Sequence, residues 1–138
     1  MLSDRDIEKL AKREGLVDPL RDDCLQPASY DVHLGPYFLN TKTGERHVAW
    51  GARSEFVLPP GELWLGATLE KFSLPANIAA QVEGRSSWGR LGLLTHITAG
   101  FIDPGFEGVI TLELYNVNSY PLILPTVFDL LLDSTGVE

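Results

Sequence analysis

The sequence predicts a mostly β fold, a sandwich or a barrel, with one short helix at its N-terminal end. Two observations support this prediction. Helical spacing of apolar residues is confined to residues 4–14. After them, short segments with strand-like patterning follow one another and are separated by proline and glycine. Frequent short strands with turn signals between them are typical of sandwiches and barrels.

The predicted helix covers residues 4–14. Ser3 and Asp6 have the spacing of a capping box, in which each side chain binds the other residue's backbone amide. The apolar residues at helical spacing are Ile7, Leu10 and Ala11. Gly15 is well suited to end the helix, because glycine readily adopts the left-handed conformation found after helix C-termini.

Six later segments are patterned as strands. They are SYDVHLG (29–35), EFVLPPGELWLGATLEKF (55–72), IAAQVEG (78–84), LLTHITAGFI (93–102), GVITLELYNV (108–117) and PLILP (121–125). Two of the intervening turns are well defined: LPPGE at 58–62, and DPGFEG at 103–108, where Pro104 and Gly105 supply a preset φ and a positive φ.

The strand after the second turn alternates in polarity from residue to residue. Because successive side chains point to opposite faces, one face is apolar and the other is mixed. The apolar face holds Ile110, Leu112 and Leu114, and the mixed face holds Val109, Thr111, Glu113 and Tyr115. Glu113 is the only acidic side chain in VITLELYN (109–116), so it is a candidate for acid/base chemistry; alone, such a glutamate is usually a surface residue.

The bulk composition narrows the classes of function. A chain of 138 residues fits one domain, 1–138, and its net charge of −8 repels nucleic-acid backbones. It contains no apolar run long enough for a membrane helix, and its charged start lacks the apolar stretch of a signal peptide, so we expect a cytoplasmic protein. Cys24 is the only cysteine, and we expect a small buried side chain there rather than a nucleophile.

Positive charge is nevertheless concentrated in one short motif, GRSSWGR (84–90). Between residues 72 and 102, Arg85 and Arg90 are balanced by a single acidic residue, Glu83. Guanidinium groups and the hydroxyls of Ser86 and Ser87 are suitable donors for a polyphosphate. The motif lacks the GK[ST] ending of nucleotide-hydrolase phosphate loops, so a solvated polar loop remains an alternative on these residues alone.

Two further residues are weaker candidates. Asp103 begins the Asp-Pro-Gly turn, where an aspartate often only caps its own backbone, but it could also bind a sugar hydroxyl or a water. His96 lies between apolar neighbours and is more typical of a structural residue. The HxE and PCxxC motifs of zinc deaminases are absent, so we expect no zinc site.

Most of residues 2–125 resemble one enzyme family. The segment VEGRSSWGRLGLLTHITAGFIDPGFEGVITLELYN (82–116) resembles the central signature of the dCTP deaminases, members of the trimeric dUTPase-like superfamily. LSDRDI (2–7), LQPASYDVHLG (25–35) and the stretch 58–87 resemble the same family. The resemblance implies a distorted, mostly β barrel of jelly-roll (β-clip) type, a homotrimer with active sites between subunits, and a cytoplasmic protein of a bacterium or a phage.

The resemblance also implies roles for individual residues. Arg85, Ser86 and Ser87 would bind the triphosphate, and Arg90 with Ser86 would position the catalytic water. Glu113 would shuttle protons. The backbone around Thr98 and Ala99 would read the base, and Asp103 would meet the deoxyribose 3′-hydroxyl. Mg²⁺ would be bound through the nucleotide phosphates. The implied ligands are dCTP as substrate, dUTP, and dTTP as an inhibitor.

The chemistry of cytosine deamination agrees with the role implied for Glu113. Water that attacks C4 must lose a proton, and the ring nitrogen and the leaving amine must gain protons. Without a metal ion to acidify the water, a carboxylate must serve both steps, and such help is typically worth roughly 10²- to 10⁴-fold. The dUTPase branch usually has an apolar residue at this position, so Glu113 favours a deaminase.

The segment TAGFIDPGF (98–106) favours one type of deaminase. Members that release dUTP typically resemble TAHRIDPGW, whereas those that also hydrolyse the triphosphate and release dUMP resemble TAGFIDPGF. We therefore expect dUMP, ammonia and diphosphate as products, with Asp103 serving both the sugar and a water on the α-phosphate. The alternatives are a dUTP-forming deaminase, a dUTPase, and a catalytically weak nucleotide-binding trimer.

The sequence departs from the family pattern after PLILP (121–125). The family has a glycine turn, a strand that carries a glutamine, and a tail that closes over the phosphates. This chain has PTVFDLLLDSTGVE (125–138), with Thr126 at the glycine and Leu131 near the glutamine. We expect the closing strand to be lost and the tail to be missing, which would weaken triphosphate ordering, lower turnover and disturb trimer assembly.

Overall fold

The computed structural model describes residues 1–49, 55–98, 100–126 and, as backbone, 129–133. Helix α1 spans Asp4–Glu14, as the capping pattern predicts. Ser3 Oγ accepts from the amide of Asp6 at 3.3 Å, and Asp6 Oδ2 accepts from the amide of Ser3 at 3.4 Å, which completes the capping box. Gly15 ends the helix at φ 67°. Ile7 anchors it in the core with 1% exposure.

Short strands make up most of the remaining structure. In chain order they are β1 (Val17–Asp18), β2 (Leu25–Gln26), β3 (Ser29–His33), β4 (Tyr37–Leu39), β5 (Arg46–Val48), β6 (Glu55–Leu58), β7 (Leu63–Ser73), β8 (Ala80–Glu83), β9 (Leu93–Leu94), β10 (Phe101–Ile102), β11 (Glu107–Asn116), β12 (Leu122–Pro125) and β13 (Asp129–Asp133). A 3₁₀ turn covers Asp22–Cys24, and a second short helix, α2, covers Ser86–Arg90. The mostly β prediction is confirmed, and no described helix is both long and apolar enough to cross a bilayer.

The described strands form three antiparallel sheets. The first has the order β5-β4-β7-β11-β9, and β1 pairs with the C-terminal end of its strand β7. The second has the order β10-β8-β13-β3-β2. The third is the ribbon of β12 and β6. The strand pair β7–β11 is the longest, and it runs from the pair Ser73–Glu107 to the pair Leu63–Tyr115. This pair therefore brings together the two ends of the chain segment between the strands, residues 74–106.

The inward face of β11 is fully buried, as its alternation predicts. Leu112 and Leu114 have 0% exposure and Ile110 has 4%. On the other face, Thr111 is exposed and Glu113 is half-buried. Burying leucine side chains of this kind contributes about 1.5–3 kcal/mol each, which holds the strand in one register and keeps Glu113 on the outer face.

Buried polar contacts fix β3 against its neighbours. The Tyr30 hydroxyl accepts from the amide of Arg21 at 2.9 Å, and its burial raises the pKa of Tyr30 to about 12. At the strand end, Glu70 on β7 has 0% exposure and accepts from the His33 amide at 2.9 Å. Its other oxygen lies 2.6 Å from His33 Nδ1. The His33–Glu70 pair therefore joins β3 to β7 inside the protein.

Three local predictions were incomplete or wrong. LLTHITAGFI (93–102) is not one strand, because among its described residues only β9 and β10, at its two ends, are strands. GRSSWGR is not simply a loop, because Ser86–Arg90 forms one helical turn. The expected loss of the closing strand is wrong, since the backbone of Asp129–Asp133 forms β13, which pairs with both β3 and β8. The hairpin of β4 and β5 was not predicted.

Candidate active site

Glu113 is held against the irregular segment between β9 and β10. Its Oε1 accepts two backbone hydrogen bonds, from Ile97 at 3.0 Å and from Thr98 at 3.1 Å. Its own amide donates to the Thr95 carbonyl at 3.1 Å. These bonds orient the carboxyl group, and they explain why the segment leaves the strand: its amides turn toward a side chain and not toward a neighbouring backbone. The half-buried Glu113 carboxylate is therefore held in one position by the backbone.

The motif GRSSWGR begins where β8 ends, beside the same segment. Gly84 lies so close to Thr95 that a Cβ atom on the glycine would be 3.1 Å from Thr95 Oγ1. The segment that bears Glu113's partners and the segment that bears the arginines therefore meet at Gly84. Thr95 Oγ1 itself is buried, and within the described structure it has no hydrogen-bond partner.

Helix α2 presents the polar side chains that follow Gly84. Arg85 is its N-cap residue, and Ser86 and Ser87 form its first turn with both residues exposed. Arg90 is its last residue and is also exposed. One turn of helix thus places two hydroxyls and two guanidinium groups at the surface, where an anionic ligand can reach them.

Arg85 has a buried acidic neighbour. Its Nη2 lies 4.0 Å from Oδ2 of Asp31, whose side chain is 6% exposed on β3. Gln26 Nε2 donates to the same carboxylate oxygen at 3.1 Å. The Arg85 side chain is 41% exposed, so it combines an anchor inside the protein with contact to solvent. Sequence reasoning missed Asp31; its position two residues before His33, on one face of β3, was the available signal.

Asp103 lies away from this cluster within one chain. It begins the predicted turn, in which Phe106 donates to its carbonyl at 3.2 Å and Gly105 has φ 82°, so the turn prediction is confirmed. Ile102 pairs with Ala80, so Asp103 follows one end of the β8–β10 pair while Gly84 follows the other. At roughly 3.3 Å per residue, the two positions are on the order of 15 Å apart.

Thr98 is exposed beside Glu113, whereas Ala99 lies outside the described residues. Gly100, the next described residue, is buried against the His96 ring: a Cβ atom on it would lie 3.0 Å from His96 Nδ1. The Gly100 carbonyl accepts from the Val82 amide at 2.7 Å. The half-buried His96 therefore packs against backbone, as a structural histidine would.

The arrangement provides acid/base chemistry beside an anion-binding surface. A carboxylate fixed by two amides can accept a proton from a water and return it to a substrate, while Arg85 and the two serines carry donors of the kind that bind phosphate. Among the described residues, no three His, Cys, Asp or Glu side chains are grouped as a metal site.

Comparison with known proteins identifies relatives over nearly the whole chain. The family model described as dCTP deaminase-like matches residues 1–127. A protein named dCTP deaminase, dUMP-forming, from Corynebacterium glutamicum (strain R) is 47% identical over 139 residues, which cover 90% of this chain and 74% of that protein. The protein of the same name from Mycolicibacterium vanbaalenii is 50% identical over 140 residues, which cover 90% and 73%.

Solved structures show the same fold at low identity. The crystal structure of 2'-deoxycytidine 5'-triphosphate deaminase from Agrobacterium tumefaciens matches 95% of this chain and 46% of that one, with a TM-score of 0.78 and 22% identity. The native EIAV dUTPase matches 86% and 82%, with a TM-score of 0.55 and 23% identity. These likenesses establish the β architecture that the two solved proteins share with this chain.

Proposed function

Because this chain belongs to the dCTP deaminase-like family, we propose that it deaminates dCTP and hydrolyses the triphosphate, giving dUMP, ammonia and diphosphate. One observation above all supports this proposal: the Glu113 carboxylate is fixed by the amides of Ile97 and Thr98 beside the arginine-bearing motif. The names of relatives at 47–50% identity favour the dUMP-forming reaction over release of dUTP.

In the proposed deamination, a water oxygen bonds to C4 of the cytosine ring and the bond from C4 to the amino nitrogen breaks. Glu113 takes one proton from the attacking water and delivers it to the ring nitrogen N3. It then takes the second proton from the new hydroxyl on C4 and delivers it to the amino group, so that ammonia leaves as C4 becomes a carbonyl. Arg90 and Ser86 hold the water for attack. We assign contact with the base to the backbone at Thr98; Ala99, the other residue expected there, lies outside the described residues.

We assign the phosphates to the part of the site formed by Arg85 and the two serines, and the base to the part beside Glu113. Arg85, Ser86 and Ser87 would bind the triphosphate, with the ionic contact between Arg85 and Asp31 holding the guanidinium group in place. Mg²⁺ would accompany the substrate, bound by phosphate oxygens, which are the hard ligands that this ion prefers. In the second reaction, a water oxygen bonds to the α-phosphorus and diphosphate leaves. We assign the orientation of that water, and the contact with the 3′-hydroxyl, to Asp103.

The product assay is the first test. Incubating the purified chain with dCTP and MgCl₂ should yield ammonia, dUMP and diphosphate in equal amounts, and dUTP supplied directly should also be cleaved. Accumulation of dUTP would instead assign the chain to the dUTP-forming type. Binding of dCTP by a folded trimer that releases no ammonia would support the nucleotide-binding alternative and remove the enzyme proposal. Cleavage of dUTP with dCTP untouched would indicate a dUTPase.

We also propose that each site lies between subunits of a homotrimer. Asp103 and Arg85 follow opposite ends of the β8–β10 pair, so a second chain can supply one of the two to a shared ligand. Mixing Asp103→Ala subunits with Arg85→Ala subunits should then restore activity. A random mixture should reach about a quarter of the wild-type rate, because two intact halves meet at one junction in four. Each variant alone is the control, and a mixture no more active than either would refute the shared site.

A further inference from the structure

Helix α2 is too short to fix its own position. It comprises only Ser86–Arg90, none of its residues is fully buried, and its N-cap residue makes no side-chain capping bond. A single helical turn is not stable alone, because the few hydrogen bonds it forms do not offset the conformational entropy lost. Trp88 packs against the core from the middle of the helix. The position of Arg90, the last residue of α2, must therefore depend on that contact and on contacts at the C-terminal end of the helix.

The C-terminal end of α2 is held by the segment that follows β11. Asn118 Nδ2 donates to the Leu91 carbonyl at 2.6 Å, directly after Arg90. The Val117 amide donates to the next carbonyl, that of Gly92, at 3.0 Å. Carbonyls at a helix C-terminus have no partners within the helix, so these two donors satisfy groups that would otherwise require water.

The Asn118 side chain is itself fixed from the protein interior. Its Nδ2 and its backbone amide both donate to Oδ1 of Asn116, at 3.0 Å and 2.9 Å. Asn116 has 0% exposure, and its own Nδ2 donates to the carbonyls of Leu58 and Tyr120. Backbone carbonyls can only accept, so each must face the NH₂ group of an asparagine and not its oxygen. This sets the orientation of both side-chain amides. A continuous set of hydrogen bonds therefore connects the buried end of β11 to the residue after Arg90.

Gly92 allows the side chain to reach this position. Its φ of 93° lies in the region that favours glycine, and a Cβ atom on it would lie 2.8 Å from Cγ of Asn118 and would overlap Nδ2. The Asn118 amide thus occupies the space that any other residue at position 92 would fill. The backbone conformation of Gly92 and the position of the Asn118 side chain therefore depend on each other.

We propose that Asn118 is a positioning residue for Arg90: through the carbonyl of Leu91 it fixes the end of α2, and with it the guanidinium group that holds the attacking water. We call the contact of Asn118 with Leu91 and Gly92 the Asn118 latch. The inference rests on the proposed function, because that proposal assigns Arg90 to hold the attacking water. It assigns to Asn118 a function in catalysis without contact to the substrate.

The test compares Asn118→Ala with Ser119→Ala, a control at the exposed neighbouring residue. Displacement of a positioned group by about 1 Å can cost roughly 10²-fold, so we expect kcat for dCTP to fall about 10- to 100-fold in Asn118→Ala. The KM for dCTP should change less than about threefold, because Arg90 acts on the water and not on the phosphates. Asn118→Asp should be at least as impaired, since its carboxylate would face the Leu91 carbonyl.

A double-mutant cycle and a hydrogen-exchange measurement separate this role from a loss of stability. In an Arg90→Ala background, Asn118→Ala should cause little further loss of kcat. A loss as large as in the wild-type background, or a kcat equal to that of Ser119→Ala, would overturn the proposal. Independently of activity, the amides of Gly89, Leu91 and Gly92, which donate to backbone carbonyls in and after α2, should exchange faster in Asn118→Ala. If the wild type releases no ammonia, the proposed function has failed, and unchanged exchange in this segment would then refute the latch by itself.

Discussion

Replacing Glu113 by glutamine is expected to lower the rate of ammonia release from dCTP by about 10²- to 10⁴-fold or more. The amide oxygen of glutamine can still accept from Ile97 and Thr98, so the side chain should remain in place. It cannot take a proton from water, however, and that is the step the carboxylate is proposed to perform. Ammonia release under saturating dCTP, together with dCTP affinity measured by calorimetry, provides the check. Affinity should be almost unchanged.

Glu107→Gln is the matched control, because Glu107 is an exposed glutamate at the start of the same strand. Both variants should unfold at nearly the temperature of the wild type. A Glu113→Gln protein that deaminates as fast as Glu107→Gln would show that the proton carrier is another group, and the assignment of Glu113 would have to be abandoned.

Replacing Glu70 by alanine should produce the largest change in stability. Leaving buried hydrogen-bonding groups without a partner costs about 1–3 kcal/mol for each group, because they lose the partner without gaining water. Here the change would remove the carboxylate that accepts from the His33 amide and that lies 2.6 Å from Nδ1 of the same residue, which has only 5% exposure. The free energy of unfolding, from urea titrations, should therefore fall by about that amount.

Glu107→Ala serves as the control for this second change, since a surface glutamate should alter stability by no more than about 0.5 kcal/mol. A His33→Leu, Glu70→Leu double variant addresses the cause. Replacing both buried polar partners by apolar groups is often close to neutral, so the double variant should recover part of the loss. A Glu70→Ala protein as stable as Glu107→Ala would mean that the His33–Glu70 contact does not hold β3 to β7.

The elements predicted correctly are those specified by neighbouring residues. The capping box of Ser3 and Asp6 and the stop at Gly15 act within one helix, so local spacing was enough to give its limits. The alternation along β11 was equally informative, because one face of the strand is buried and a shift of one residue would expose its leucines. This alternation is also what placed Glu113 on the outer face.

The features that sequence reasoning missed depend on residues far apart in the chain. Glu113 binds amides at residues 97 and 98, and this long-range contact draws the segment out of strand conformation although its composition favours a strand. Glu70 and His33 are 37 residues apart, and nothing near either one marks it as buried. The contact of Asn118 with Leu91 is of the same kind. The roles of Arg85, Ser86, Ser87, Arg90 and Asp103 remain predictions.

The register of β7 and β11 has an evolutionary and engineering consequence. Ser73 and Glu107 are paired, and Leu74 donates to the Phe106 carbonyl at 2.8 Å, so the two ends of the intervening segment meet. All the proposed ligand-binding side chains except Glu113 are encoded between these two residues. Selection, or a designer, can therefore change these side chains together by exchanging residues 74–106 among relatives, provided that β11, β13 and Asn118, which contact the exchanged segment, still fit it.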